Sequence, residues 1–445
     1  MHQRVLIPNR GVIARRIVRA CRKLGIQSVV CHSDLDAQTP AVEECDQAVR
    51  LPGYQAKDTY LNSHLVLETA KKCRADAIHP GYGFLAESSS FAEDVETAGI
   101  SFIGPSSDWI KRMSVKTEAR SSMSKLGIPV HEGSGLLQNE DCIRDFVGQV
   151  GLPIVLKPAA GGGGIGMFVV HEEDEIAIKF QQAQPLAKSG FADDSLYAEK
   201  YLSKPRHIEF QVVADGSDCS ILGVRECSIQ RRHQKLIEET PVPGDLDKQL
   251  ADIEPQLTSA IRDYDSIGTV ECLYDDGKLG FLEMNTRLQV EHGVTEEAHN
   301  VDLVALQVQI SAGESLDSLD LGSEKPQQYA VEARLYAEDS ERMLPSSGKL
   351  NVFRPVPFEG VRIEAGYRAG NYITPYYDPL LAKIIGTGSS REQAIARTAI
   401  ALKAFEVEGV STNSELLQNI LGSEAFILGR IHTGLLEELH TRSSR

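Results

Sequence analysis

Short apolar runs separated by segments of helical period fill the N-terminal part of the chain. RVLIPN, QSVVCHS, DAIHPGYGF and SFIGPS read as strands, and VIARRIVRACRKLG, between the first two, repeats its apolar side chains at helical spacing. Strand, helix and strand in this order predict parallel βαβ units and a doubly wound α/β domain over about residues 1–112. NRG after the first strand is a strand-to-helix turn without the G-x-G-x-x-G spacing of a dinucleotide site. Over residues 113–325 the pattern becomes α+β and largely antiparallel. LPIVLKPAAGGGGIGMFVV is a strand, a glycine loop and a second strand. LYAEKYL, HIEFQVVAD, CSILGVREC, GTVECLYDDG and KLGFLEMNTRL follow, with hairpin turns expected at Ala214-Asp215-Gly216 and Asp275-Asp276-Gly277. A polar linker, LGSEKPQQ, precedes strands AVEARLYAE and LLAKIIGTG and a helix REQAIARTAIALKAF, which together predict a third domain over 329–445.

One stretch, FLEMNTRLQVEHG, alternates unusually. As a strand it would place Glu283, Asn285, Arg287, Gln289 and Glu291 on one face and Met284, Thr286, Leu288 and Val290 on the other. A polar face turned to water is the ordinary source of such alternation, but exposed strands favour Thr, Ser and Lys. Carboxylate, amide and guanidinium groups suit a metal ion and an anion instead. Glu271 lies on the other arm of the hairpin, and a three-residue turn at 275–277 would bring it to the face of Glu283. Glu271, Glu283 and Asn285 then predict an oxygen-ligand cluster for a Mg–ATP site. Arg287 and Gln289 could hold a small planar oxyanion beside Glu291 as general base.

Composition narrows the partners. The 445 residues carry 46 Lys plus Arg against 63 Asp plus Glu, a net charge of −17 that opposes general binding to nucleic acid or an anionic membrane. Any phosphate site must be local. Gly161–Gly164 could form such a site, because glycine lets backbone N–H groups approach phosphate oxygens and Lys157 supplies a point charge nearby. A flexible hairpin tip is the plainer reading of those glycines; a lid over a nucleotide is the functional one. Arg231, Arg232, His233 and Lys235 make a focused basic patch. His207 alternates with Glu209 and Gln211, and a lone histidine of this kind is more often structural. Eight scattered cysteines, with no C-x-x-C pair, predict reduced thiols and neither a disulfide framework nor a structural zinc. No run of 18 apolar residues occurs, so a cytoplasmic protein is expected, and a processed organellar one would look alike.

HPGYGFLAES, KPAAGGGGIGM, EKYLSKPRHIEFQV, RRHQKLIEETPVPG, FLEMNTRLQVEHGVTE, VEARLYAEDS and TPYYDPLLAKI together resemble the successive signatures of the biotin carboxylases, members of the ATP-grasp superfamily. The resemblance runs through essentially the whole chain. It implies a Rossmann-like N-terminal domain, a central ATP-grasp domain with a glycine-rich lid at about 130–203, and a C-terminal biotin carboxylase domain. It also implies the reaction: ATP phosphorylates bicarbonate, and the resulting carboxyphosphate carboxylates biotin. By the same resemblance Lys116, Lys157, Gly162, Gly163, Gly164, Glu199, Lys200, Leu202, His207 and His233 would bind ATP, and Glu271 and Glu283, with Asn285 beside them, would bind Mg²⁺ or Mn²⁺. Lys235, Arg287, Gln289 and the Val290 backbone would bind bicarbonate, Glu291 would take its proton, and Tyr82 and Arg334 would meet biotin, Arg334 at the ureido oxygen.

The implied partners are a biotin carboxyl carrier protein or domain and a carboxyltransferase subunit or domain, since no Met-Lys-Met type biotinylation segment occurs. A homodimer is expected. Pro8, Val12, Ile165, Val224 and Gly293 depart from the commonest family pattern, and Ile165 and EHGVTE are similar to the urea carboxylase branch. Another ATP-grasp carboxylate ligase, or an inactive nucleotide-binding relative, is the alternative function.

Overall fold

The computed structural model describes residues 1–159, 166–191, 193–231, 234–323, 325–340 and 344–443. The glycines 162–164, Ile165 and His233 therefore lie outside the described residues. Near the N-terminus, β1 (Arg4–Ile7), β2 (Gln27–His32), β3 (Gln47–Arg50), β4 (Ala77–Ile78) and β5 (Ser101–Phe102) form a parallel sheet in the order β3-β2-β1-β4-β5. The helix Gly11–Leu24 buries Ile13, Ala14, Ile17, Val18 and Cys21, the i, i+4 stripe the sequence promised, and ends on Gly25 at φ 70° with Arg22 and Lys23 in its last turn. A small antiparallel sheet follows: β6 (Ile154–Pro158) lies between β7 (Phe168–Val170) and β8 (Leu196–Lys200), so the glycine loop joins two hairpin arms.

The largest sheet has eight strands. β9 (Arg206–Ala214), β10 (Cys219–Arg231), β11 (Gln234–Thr240), β12 (Ile267–Asp275), β13 (Lys278–Asn285) and β14 (Tyr329–Tyr336) run β13-β12-β9-β10-β11-β14, and Leu380–Gly388 and Val361–Ala365 complete it. β14 pairs with β11 across the linker, so one sheet continues from the central region into the C-terminal segment. On β9, Ile208, Phe210 and Val212 pack beside Trp109, Met123 and Tyr264. The opposite face carries His207, Glu209 and Gln211, also buried. Alternation on this strand therefore separates an apolar core from a charged interior, not a core from water.

Two local expectations change. β12 and β13 are joined by two residues, not three: Asp275 pairs with Lys278, and Asp276 and Gly277 both have positive φ, 44° and 78°, as the right-handed twist of a tight hairpin requires. A β-bulge restores the facing acids. Cys272 pairs with Phe281 but Glu271 with Glu283, leaving Leu282 as the extra residue. The row from Glu283 to Glu291 is likewise not one strand. β13 stops at Asn285, the chain continues without a strand partner, and Glu291 is the N-cap of the helix His292–His299.

Candidate active site

Register assembles the site. Glu283, Glu271, Glu209 and Arg225 are successive pairing partners on β13, β12, β9 and β10, so four adjacent strands place one charged row on the polar face. Arg225 is fully buried and donates to Glu209 Oε2 at 3.0 Å, Gln211 Oε1 at 2.6 Å, and Thr269 and Thr295 Oγ1 at 3.0 Å each. A buried guanidinium is tolerated because each donor finds an acceptor.

Lys235, on β11, reaches over this row. Its ammonium donates to Glu209 Oε1, to Glu271 Oε1 at 2.9 Å and to Glu291 Oε1 at 2.8 Å. Burial opposes its charge, but the three carboxylates outweigh burial and hold its pKa well above the ordinary lysine range. Glu271 Oε1 also accepts from Asn285 Nδ2 and Gln289 Nε2 at 2.8 Å each, while His207 Nε2 stands 3.0 Å from its other oxygen. Burial would raise the Glu271 carboxyl, yet Lys235 and His207 bring it well below the usual range. The same carboxylate raises the His207 pKa against its burial.

Glu291 is 1% exposed and sits between two cations, with Oε1 on Lys235 and Oε2 accepting from Arg334 Nη2 at 2.8 Å. Burial pushes its pKa up, and Lys235, Arg334 and Arg225 more than reverse this, so it is an ionised carboxylate. Arg334, on β14, also lies 2.5 Å from Glu238 Oε1. Arg287 is held by three side chains, Nε on Glu87 at 2.7 Å, Nη1 on Gln289 at 2.9 Å and Nη2 on Asn285 at 3.1 Å, and Nη1 also donates to the Leu288 carbonyl at 3.3 Å. The polar members of the row thus stay together although the strand does not.

Two further charged groupings lie toward the small sheet. Lys157 Nζ meets Glu199 Oε2 at 2.6 Å, with Arg120 at 3.2 Å from the other oxygen, and Lys116 Nζ meets Glu283 Oε2 at 2.5 Å. Burial notwithstanding, Lys157 and Arg120 bring the Glu199 carboxyl down to about 2. The Lys200 ammonium is engaged elsewhere, capping the helix Glu140–Val150 through the carbonyls of Val150, Gly151 and Leu152. Leu202 is half-buried in the segment linking β8 and β9, where only its backbone could be polar to a ligand. Tyr82 is half-buried in the loop after β4, its carbonyl accepting from Asn9.

The donor set suits a hard divalent cation. Glu271 and Glu283 present carboxylates from directly paired residues, and oxygen ligands are what Mg²⁺ takes. Asn285 presently turns its nitrogen to Glu271 and its oxygen to Arg287, so a ligand role would need the amide reversed. Sequence reasoning met Glu209 only as a neighbour of His207, without a role, and passed over Arg225, Glu87 and Glu238. A charge inside the apolar run ILGVRECSI was the available signal for Arg225, because a strand buried on both faces carries a charge only when it is paired.

No helix among the described residues is long and apolar enough to cross a membrane. Three family profiles match in succession: biotin carboxylase N-terminal domain over residues 1–110, carbamoyl-phosphate synthase L chain ATP-binding domain over 115–319, and biotin carboxylase C-terminal domain over 332–438. A biotin carboxylase of Halalkalibacterium halodurans is 43% identical over 98% of this chain and 97% of its own. One from Pseudomonas aeruginosa is 39% identical over 98% of both. The biotin carboxylase domain dimer of Hydrogenobacter thermophilus 2-oxoglutarate carboxylase, solved with MgADP, ADP and bicarbonate, superposes with a TM-score of 0.95 at 39% identity, covering 98% of both chains. A Campylobacter jejuni biotin carboxylase in complex with an ATP ligand gives 0.94 at 34% identity, covering 98% of this chain and 99% of that one. The charged row on the sheet, the ionised carboxylate between two cations and the full-length similarity converge, and the chain belongs to the biotin carboxylase family of ATP-dependent ligases.

Proposed function

We propose that the chain carboxylates biotin at the expense of ATP, with biotin presented by a carrier protein or domain and the carboxyl group passed on by a carboxyltransferase. The observation that carries the reading is Glu291, ionised and buried between Lys235 and Arg334. Bicarbonate is a weak nucleophile until its proton is removed. A fixed carboxylate beside clamping cations serves that step. Lys235, Arg287 and Gln289, with the Val290 N–H, hold the anion, and Glu291 accepts its proton. The freed oxygen then bonds to the γ-phosphorus of ATP as the bond to the bridging oxygen breaks and ADP leaves, giving carboxyphosphate. Lys116 and Lys157 steady the phosphates.

Glu271 and Glu283 would hold Mg²⁺ or Mn²⁺, which supplies neutralisation of phosphate charge when bound. Loss of the ureido N–H proton, taken up by the phosphate that leaves carboxyphosphate, places negative charge on the ureido oxygen, where Arg334 stabilises it; the nitrogen then bonds to the carboxyl carbon whose bond to that phosphate has broken, and Tyr82 borders the ring. The glycine-rich loop, outside the described residues, is assigned to lid closure over ATP. The domain limits 1–112, 113–325 and 329–445, a homodimeric state and a cytoplasmic location belong to the same reading. ATP cleavage by the purified chain with Mg²⁺ should require bicarbonate; cleavage that ignores bicarbonate would refute the assignment of the anion.

A further inference from the structure

Gly293 stands where the family commonly has proline, and the structure gives the position a physical meaning. A Cβ there would lie 2.5 Å from Ile385 Cδ1, 3.1 Å from Glu332 Oε2 and 3.5 Å from Lys383 Nζ. Ile385 and Glu332 crowd the position, and Lys383 lies at ordinary contact distance beside them. All three sit on one face of the large sheet: Glu332 pairs with Ile385, and Lys383 pairs with Arg334 on one side and Glu364 on the other.

Lys383 is fully buried. Its ammonium donates to the Val290 carbonyl at 2.6 Å and lies 2.8 Å from Glu364 Oε2 and 3.4 Å from Glu332 Oε2. Two carboxylates would have sufficed to keep a buried lysine charged; the third contact is to backbone. That carbonyl belongs to the unpaired stretch between the end of β13 and the helix His292–His299, and the stretch carries Arg287, Gln289 and Glu291. With no ladder to fix it, the segment needs another anchor at its C-terminal end.

We propose that Lys383 is a positioning residue for the anion site, seated over Gly293 so that its ammonium fixes the Val290 peptide and with it the 287–291 segment. The inference rests on reading that segment as the bicarbonate site. Because Lys383 shares its register position with Arg334, it ties the segment to the same row of the sheet that supplies Arg334 to Glu291. Loss of the anchor should loosen the anion clamp while leaving the nucleotide contacts assigned to Lys116, on a helix, and to Lys157 and Glu199, on the separate small sheet.

Two variants of the full chain, Lys383→Met and Gly293→Ala, test this by steady-state ATP cleavage with bicarbonate and MgATP varied separately and wild type measured alongside. Lys383→Met should raise the KM for bicarbonate at least about tenfold with the KM for MgATP within about twofold. Gly293→Ala, which keeps the lysine but presses its Cβ on Ile385 and on Glu332, a carboxylate partner of that lysine, should move the same constant in the same direction by less. A merely structural lysine would lower Tm and the active fraction and leave both KM values unchanged. Wild type stimulated by bicarbonate, with an unchanged bicarbonate KM in both variants, would overturn the positioning role alone. Wild type indifferent to bicarbonate would overturn the role together with the reading beneath it. If Lys383→Met does not fold, an unchanged bicarbonate KM in Gly293→Ala overturns the proposal.

Discussion

Replacing Glu291 by Gln keeps the shape and removes one negative charge and the proton acceptor. Lys235 would retain Glu209 and Glu271, Arg334 would retain Glu238, and Arg225 would retain Glu209. No cation is stranded, so the roughly 3–5 kcal/mol that accompanies an orphaned buried charge does not arise. Glu209 is itself relieved, since burial and then the Glu291 charge are what raise its pKa. The net change in stability should stay within about 1 kcal/mol. Catalysis should respond very differently. A positioned general base contributes roughly 10²–10⁴-fold, or about 2.7–5.4 kcal/mol of barrier. The assay is bicarbonate-dependent ATP cleavage at saturating MgATP, with nucleotide affinity by calorimetry and Tm by thermal melt on the same preparation. A kcat within about threefold of wild type would refute the base assignment. A stability loss of about 3 kcal/mol or more would refute the charge accounting, whatever happened to the rate.

Other perturbations have distinct signatures. Arg287→Lys should reduce kcat/KM for bicarbonate about 10–100-fold, because one ammonium cannot span Glu87, Asn285 and Gln289 as the planar fork does; titrating bicarbonate against initial rate checks it. Arg225→Leu leaves Glu209 buried with one counter-charge fewer and should destabilise by about 3–5 kcal/mol in chemical denaturation. Burial raises the Glu296 carboxyl, but Arg16 and Arg362 outweigh it and hold the pKa at about 2, below the ordinary 4.5. A depressed acid contributes stability that is present above the unfolded value and lost as pH falls through the folded one. Glu296→Gln should therefore lower Tm clearly at pH 7 and progressively less between pH 4.5 and 2, a comparison that thermal melts across pH would settle.

The alternation of charge, amide and guanidinium from Glu283 to Glu291 was legible because each type has a chemical preference that a solvated strand does not explain. Its backbone was misjudged: period two persisted past Asn285 without a partner strand, and the helix beginning at His292 gave no apolar stripe strong enough to mark the change. The facing of Glu271 and Glu283 was anticipated through a three-residue turn, whereas a two-residue turn and a bulge at Leu282 produce it. Bulges leave no reliable mark in a single sequence. The pairings across distant strands were invisible for a more general reason. Lys235 with Glu271 and Lys383 with Val290 depend on strand order, and the order β13-β12-β9-β10-β11-β14 follows from no local pattern. Gly293 was seen as a departure, and only the neighbours at Ile385, Glu332 and Lys383 say what the missing side chain makes room for.

The most direct test of the central claim is transfer of label from ¹⁴C-bicarbonate to free biotin by the purified chain with Mg²⁺ and ATP. Acid-labile carboxybiotin, formed in step with ADP and absent when ATP is omitted, is the result the account predicts. ATP cleaved in the presence of bicarbonate and biotin with no label reaching biotin would contradict it and would assign the ionised Glu291 to another acceptor.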